Sequence, residues 1–162
     1  MLFAKLTIQP IVTILVTVMA ANSQFAMAVH ILALLALKGE TNLKSDTIAH
    51  SVNTNPVVIR RILGQLANAR LVESQTGAAG GTRLVLPPEK VCLVDVYKAV
   101  SCGEVFALPA KQANQDCPVG RSIESVLCNL QKAIDRSVAE KLGEFSLASV
   151  LGMIDIESTA AA

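Results

Sequence analysis

The chain has 162 residues, enough for one domain with a proper core, or a small domain plus an association element. Hydrophobic residues make up 52% but aromatics only 3%, with no Trp, so the interior must be aliphatic, which suits packed helices. A formal charge of +1 marks no polycation, and four scattered cysteines without a CxxC pair do not make a secreted disulfide scaffold.

Residues 1–21, "MLFAKLTIQPIVTILVTVMAA", differ in character from the rest of the chain. The apolar run from Ile11 to Ala21, headed by Pro10, is short for a membrane span. Three readings stay open: a signal peptide with Val18-Met19-Ala20 as its cleavage pattern, an interfacial anchor, or an over-extended start with Met19 as the true beginning. The remaining residues read as cytoplasmic.

Ser23 is placed to cap a helix through "FAMAVHILALLAL", apolar nearly all round and therefore buried on several sides. Lys38-Gly39 ends it, and His30 inside it reads as a core or seam residue. A short helix comes next, with Ser45 as its expected cap and Asp46 in its first turn. "NTN" is a polar turn. Asn55 then caps a helix with Pro56 at its first position, where the missing N–H costs nothing. Ile59, Ile62, Leu63 and Leu66 share one face. Val57, Arg61 and Gly64 lie opposite, with Arg60 to one side.

A short helix, a brief turn and a second helix with arginines near its start form a helix-turn-helix pattern, as well as one part of many three-helix bundles. The next stretch separates these. Leu71 to Ser74 reads as a strand, "GAAGG" as a turn, and Thr82 to Leu86 as a returning strand. A phosphate-cradling loop needs a helix after its glycines, and Pro87-Pro88 stands here instead. A hairpin directly after a helix-turn-helix is a wing, placed to touch phosphates or the minor groove. Local charge agrees. Lys38, Lys44, Arg60, Arg61, Arg70, Arg83 and Lys90 face only Glu40, Asp46, Glu73 and Glu89 over that region.

Leu93 to Val100 reads as a short amphipathic helix, and Ser101 to Gln115 as a polar connection. Cys117-Pro118-Val119-Gly120 opens a long helix. Its apolar positions Ile123, Val126, Leu127, Leu130, Ala133, Ile134, Val138 and Leu142 recur at steps of three and four, the pattern of a self-pairing seam. Gly143 ends it, and "SLASVLGMI" forms a last short helix.

"NSQFAMAVHILALLA", "IAHSVNTNPVVIRRILGQLANARLVES", "GAAGGTRLVLPPEKVCLVDVYKAV" and "CPVGRSIESVLCNLQKAID", in this order, resemble the Rrf-two (BadM-like) family of bacterial winged helix-turn-helix transcription regulators. The resemblance covers about Asn22 to Leu151. "NTNPVVIRR" and "CPVG" resemble a branch without iron–sulfur ligands. The resemblance implies a homodimer on a roughly palindromic DNA operator. Three positions depart from the family pattern: Thr76 stands where a basic residue usually precedes the wing glycines, Thr82 where Tyr often comes after them, and Arg70 where Gly usually turns the helix-to-strand corner.

The expected fold is therefore mainly α with a small β-hairpin: a winged helix-turn-helix over 22–100, a loop over 101–120, and dimerisation helices over 121–155. The expected partners are double-stranded DNA and a second copy, with no membrane and no enzymatic role. Asn55, Val57, Val58, Arg60 and Arg61 are expected to face the major groove. Ser45, Thr54, Gly80, Gly81 and Arg83 are expected to serve backbone or wing contacts. No cofactor is expected, because Cys102, Cys117 and Cys128 are too far apart for the compact triad of iron–sulfur relatives. Cys117, at an expected helix start, is the first redox candidate and Cys102 the second. The competing function is a winged-helix interaction module without operator binding, held at a membrane by its first residues.

Overall fold

The computed structural model describes residues 9–77, 80–100, 108–109 and 111–154, with side chains from residue 23 onward. Six helices and one hairpin are described: α1 (Gln9–Lys38), α2 (Ser45–Val52), α3 (Pro56–Asn68), β1 (Val72–Gln75), β2 (Gly81–Leu84), α4 (Leu93–Val100), α5 (Pro118–Gly143) and α6 (Leu147–Leu151). The mainly helical winged architecture expected from the sequence is the one present.

The first helix corrects an expectation. Ser23 is not a helix cap, because α1 runs straight through it from Gln9 to Lys38. Hydroxyl capping needs a break in the helical backbone, and none occurs there. Ser45 is not a cap either. Lys44 holds the cap position with extended backbone, and Ser45 is the first helical residue. Asn55 does cap α3, its side-chain oxygen accepting from Val57 N at 2.8 Å, with Pro56 in the first turn.

Three helices supply the core. Ile31, Leu32 and Leu35 of α1 meet Ile48 of α2 and Ile59, Ile62 and Leu66 of α3, all fully buried. Val96 and Val100 of α4 and Leu147 of α6 close it from the other side. Each such side chain contributes about 1.5–3 kcal/mol by leaving water. The chain end returns to this core through backbone pairing: Leu93 N donates to Phe145 O at 3.0 Å, and Leu147 N to Val91 O at 2.8 Å.

The wing is antiparallel, with Val72 opposite Leu84, Glu73 opposite Arg83, Ser74 opposite Thr82 and Gln75 opposite Gly81. It is joined to the segment between α1 and α2. Leu43 N donates to Thr82 O at 3.0 Å, and Thr82 N returns a bond to Leu43 O at 2.8 Å. This second neighbour covers part of a sheet edge and fixes the wing's angle to α2 and α3. Thr82 is buried here, its hydroxyl 2.8 Å from that of Ser74, a place too tight for Tyr. Arg70 turns the α3-to-β1 corner with φ of 59°, and Asn53 turns between α2 and α3 with φ of 55°. Asn tolerates the left-handed region; Arg adopts it at a cost.

Candidate nucleic-acid interface

An open groove of about 660 Å³ runs between the first turn of α2, the outer face of α3 and the wing. Lys44, Ser45 and Asp46 form one wall, Arg60 and Gly64 the floor, and Gln75, Thr76, Gly80 and Gly81 the other wall. Helix geometry decides which α3 residues face it. Ile59, Ile62, Leu63 and Leu66 turn to the core, so Val57, Arg60 and Gly64, at spacings of three and four, turn out. Val57 is 65% exposed. A thymine methyl is a fitting partner for an apolar side chain exposed at the start of such a helix.

Two candidate groove residues are placed differently from expectation. Val58 is half-buried and packs on the core, because it sits one turn before the fully buried Ile62. Arg61 is exposed but reaches the flank of α3 away from the wing, where its Nη2 lies 2.8 Å from the Gln24 side-chain amide, whose oxygen accepts from it once the amide is oriented to satisfy both its neighbours. Gln24 is only 6% exposed. In that orientation its amide nitrogen donates to Val100 O at 2.9 Å, which places one side chain of α1 between α3 and the end of α4. The arginine on the groove floor is therefore Arg60. Its Nε donates to Ser45 Oγ at 3.3 Å, and its Nη2 lies 3.6 Å from Asp46 Oδ1.

The wing residues also have structural employment. A Cβ at Gly81 would stand 2.8 Å from Leu43 O, and one at Gly80 would run into Gln75 O. Both glycines are needed for close backbone approach before any contact with a ligand. Arg83 lies between Glu73 and Glu40, with Nε and Nη2 each 2.6 Å from Glu73 Oε1 and Nη1 2.6 Å from Glu40 Oε2. The hydrogen bond to Glu73 first, then its charge and that of Glu40, raises the guanidinium pKa above its ordinary value. Arg83 is thus a cation matched by two carboxylates rather than a spare charge on the wing. Thr54 is half-buried and its backbone N–H closes the turn onto Ala49 O at 3.0 Å.

Sequence reasoning counted Lys44 only toward the local charge and overlooked Gln24. Lys44 carries a readable signal, a base immediately before a short helix. Gln24 carries none, since its partners are brought to it only by helix packing.

Residues 21–152 match the family model Rrf2, described as "Iron-dependent Transcriptional regulator". The chain belongs to the Rrf2 family. It is a transcriptional regulator rather than an enzyme. YwnA of Bacillus subtilis, a protein provisionally named an HTH-type transcriptional regulator, is 36% identical over 130 residues, covering 80% of this chain and 96% of YwnA. A crystal structure of a provisionally named DNA-binding protein superposes with a TM-score of 0.63 at 34% identity, covering 79% of this chain and 98% of the other. A provisionally named transcriptional regulator from Lactobacillus plantarum superposes at 0.67 with 25% identity, over 80% of this chain and 87% of its own.

The family description names iron, and the residues described do not fit an iron centre. No three His, Cys, Asp or Glu side chains come together among them as metal ligands. Cys117 is exposed at the cap position of α5, Cys128 is half-buried on that helix, and Cys102 lies outside the described residues. Cys92 points its sulfur at the carbonyls of Gly143 (3.5 Å), Phe145 (3.7 Å) and Leu142 (4.0 Å). Among the described residues, no helix is long and apolar enough to cross a membrane.

Proposed function

We propose that the chain is a cytoplasmic repressor that reads a palindromic DNA operator as a homodimer. Residues 22–100 form the reading unit and residues 121–155 the pairing unit. The observation that carries this reading is the groove: Arg60 on its floor, Lys44 and the wing as its walls, and an exposed Val57 at the start of the same helix make a surface whose chemistry suits a duplex backbone. The start of α3 enters the major groove. Lys44, Ser45, Thr54 and the backbone of the wing meet phosphates, which position the protein without reading sequence. Arg60 meets a base edge.

The dimer is supported by α5. Val126 and Leu130 stand 56% and 50% exposed, on a helix whose apolar residues recur at steps of three and four. A second copy packed along that row would cover them and place two α3 helices about one helical turn of DNA apart, roughly 34 Å. A dimer spanning two half-sites denies that stretch to other proteins, and repression results from occupancy.

The test is selection of bound duplexes from a random library by the purified full chain, then titration of the selected duplex against unrelated DNA at several salt concentrations. Recovery of an inverted repeat, and a steep fall in affinity with salt, support the reading. Equal binding to all duplexes, or none, would leave the interaction module as the better description.

A further inference from the structure

Asp46 is an odd resident of a surface built for a polyanion. It lines the groove, its side chain is 72% exposed, and its charge repels phosphate. Its place in the first turn of α2 suits the helix dipole, but that says nothing of its partner, an arginine from a different helix. As a stability device the pair is weak, since both ends are exposed to water. Its geometry is more informative. Ser45 Oγ accepts from Arg60 Nε at 3.3 Å and Asp46 Oδ1 lies 3.6 Å from Nη2, so both residues of the first turn of α2 stand on one edge of the guanidinium. A guanidinium has five N–H groups in a rigid plane. With one edge taken, Nη1 and the outward N–H of Nη2 remain as a parallel pair of donors, the pattern that matches O6 and N7 of guanine.

We propose that Asp46, assisted by Ser45, is a specificity-determining positioning residue: it clamps one edge of Arg60 so that the other edge is presented to a guanine in each half-site. The proposal rests on the major-groove reading. An unclamped arginine slides to the nearest phosphate and loses its rotamer freedom only on binding. One biased by Ser45 and Asp46 gives up less of that freedom on binding and favours one orientation toward the base. Asp46 thereby gives up non-specific attraction in exchange for discrimination between bases.

The experiment uses the full chain, the duplex it selects from a random library, and variants of that duplex with each base pair replaced in turn. Wild type should lose about tenfold or more in affinity when one guanine per half-site is replaced. Asp46→Ala should lose most of that ratio while binding unrelated duplex severalfold more tightly, because a like charge has left the groove. Asp46→Asn keeps an acceptor oxygen and should fall between. In Arg60→Ala the guanine preference is gone, and adding Asp46→Ala should change the ratio no further. If Asp46→Ala tightens every duplex equally and keeps the guanine ratio, the clamp is wrong while the major-groove reading stands. If wild type shows no base preference at all, both fall. A preference that disappears in Arg60→Ala but is untouched in both Asp46 variants overturns the clamp alone.

Discussion

The winged half and the long helix α5 have similar apolar patterning and opposite fates. In the winged half, apolar residues at helical spacing are buried: Ile31, Leu35, Ile59, Ile62 and Leu66 are at zero exposure. On α5 the described buried residues are Gly120 and Gln131, neither an apolar side chain, while Val126 and Leu130 face solvent. Folding of one chain therefore satisfies the first pattern and leaves the second open. The same periodicity makes a core when partners lie in the same chain, and leaves apolar side chains in solvent when they do not. Cutting or weakening each half should accordingly give different kinds of failure.

The largest effect is expected on α5. Val126→Asp with Leu130→Asp places two charges in the proposed seam. If the proposed dimer holds for wild type, sedimentation should show a monomer for this variant, and operator affinity should fall by about a hundredfold or more as the second half-site is lost. Circular dichroism should change little, because both positions are exposed in the single chain. If the double variant remains a dimer, the seam lies elsewhere.

Next comes the core. Leu66→Ala empties a site at zero exposure and should cost about 2–5 kcal/mol in urea unfolding. Leu130→Ala, measured at a concentration where the chain is monomeric, should cost less than about 0.5 kcal/mol. Near-equal losses would erase the distinction between the two halves.

The wing supplies a finer comparison, between Arg60 and Arg83. One is exposed on the groove floor, and the other is matched by two carboxylates. Arg83→Ala should leave the salt slope of DNA binding unchanged and reduce affinity less than about threefold, since no free charge is removed. Its effect should appear in faster hydrogen exchange at the wing amides. A drop in slope of about one would show that Arg83 leaves its carboxylates to bind phosphate.

Much of this is legible in the sequence wherever the cause is local. Leu93–Val100 arises from its amphipathic spacing, Pro56 and Asn55 mark the start of α3, and the hairpin strands lie within one or two residues of their expected bounds. The features that escape such reading depend on contacts between distant residues. The pairing of Leu43 with Thr82 spans the helix-turn-helix, and no pattern near either residue announces it. The relative roles of Arg60 and Arg61 turn on a rotation of α3 about its axis. That rotation is set by which apolar side chains fit α1 and α4, and Gln24 lies where the three helices meet. The charge of Arg83 is plain in the sequence, while its two acids arrive from the facing strand and from beyond the end of α1.

The smallest effect is expected at Arg70, and it tests whether the corner is tuned for stability or only tolerated. With φ of 59°, an L-residue at this position costs about 1–2 kcal/mol relative to right-handed backbone, whereas glycine bears no such penalty. Glycine also frees the unfolded chain, which offsets part of the gain. Arg70→Gly should therefore stabilise by about 0.5–1 kcal/mol, raising the urea midpoint without changing its slope. Arg70 is exposed, lies at the far end of α3 from the groove floor, and has no part in the clamp. The guanine ratio of the selected duplex should be unaltered. A gain in stability with altered discrimination would mean that the corner's strain is transmitted along α3 to Arg60, and that the reading helix is held in place from both ends.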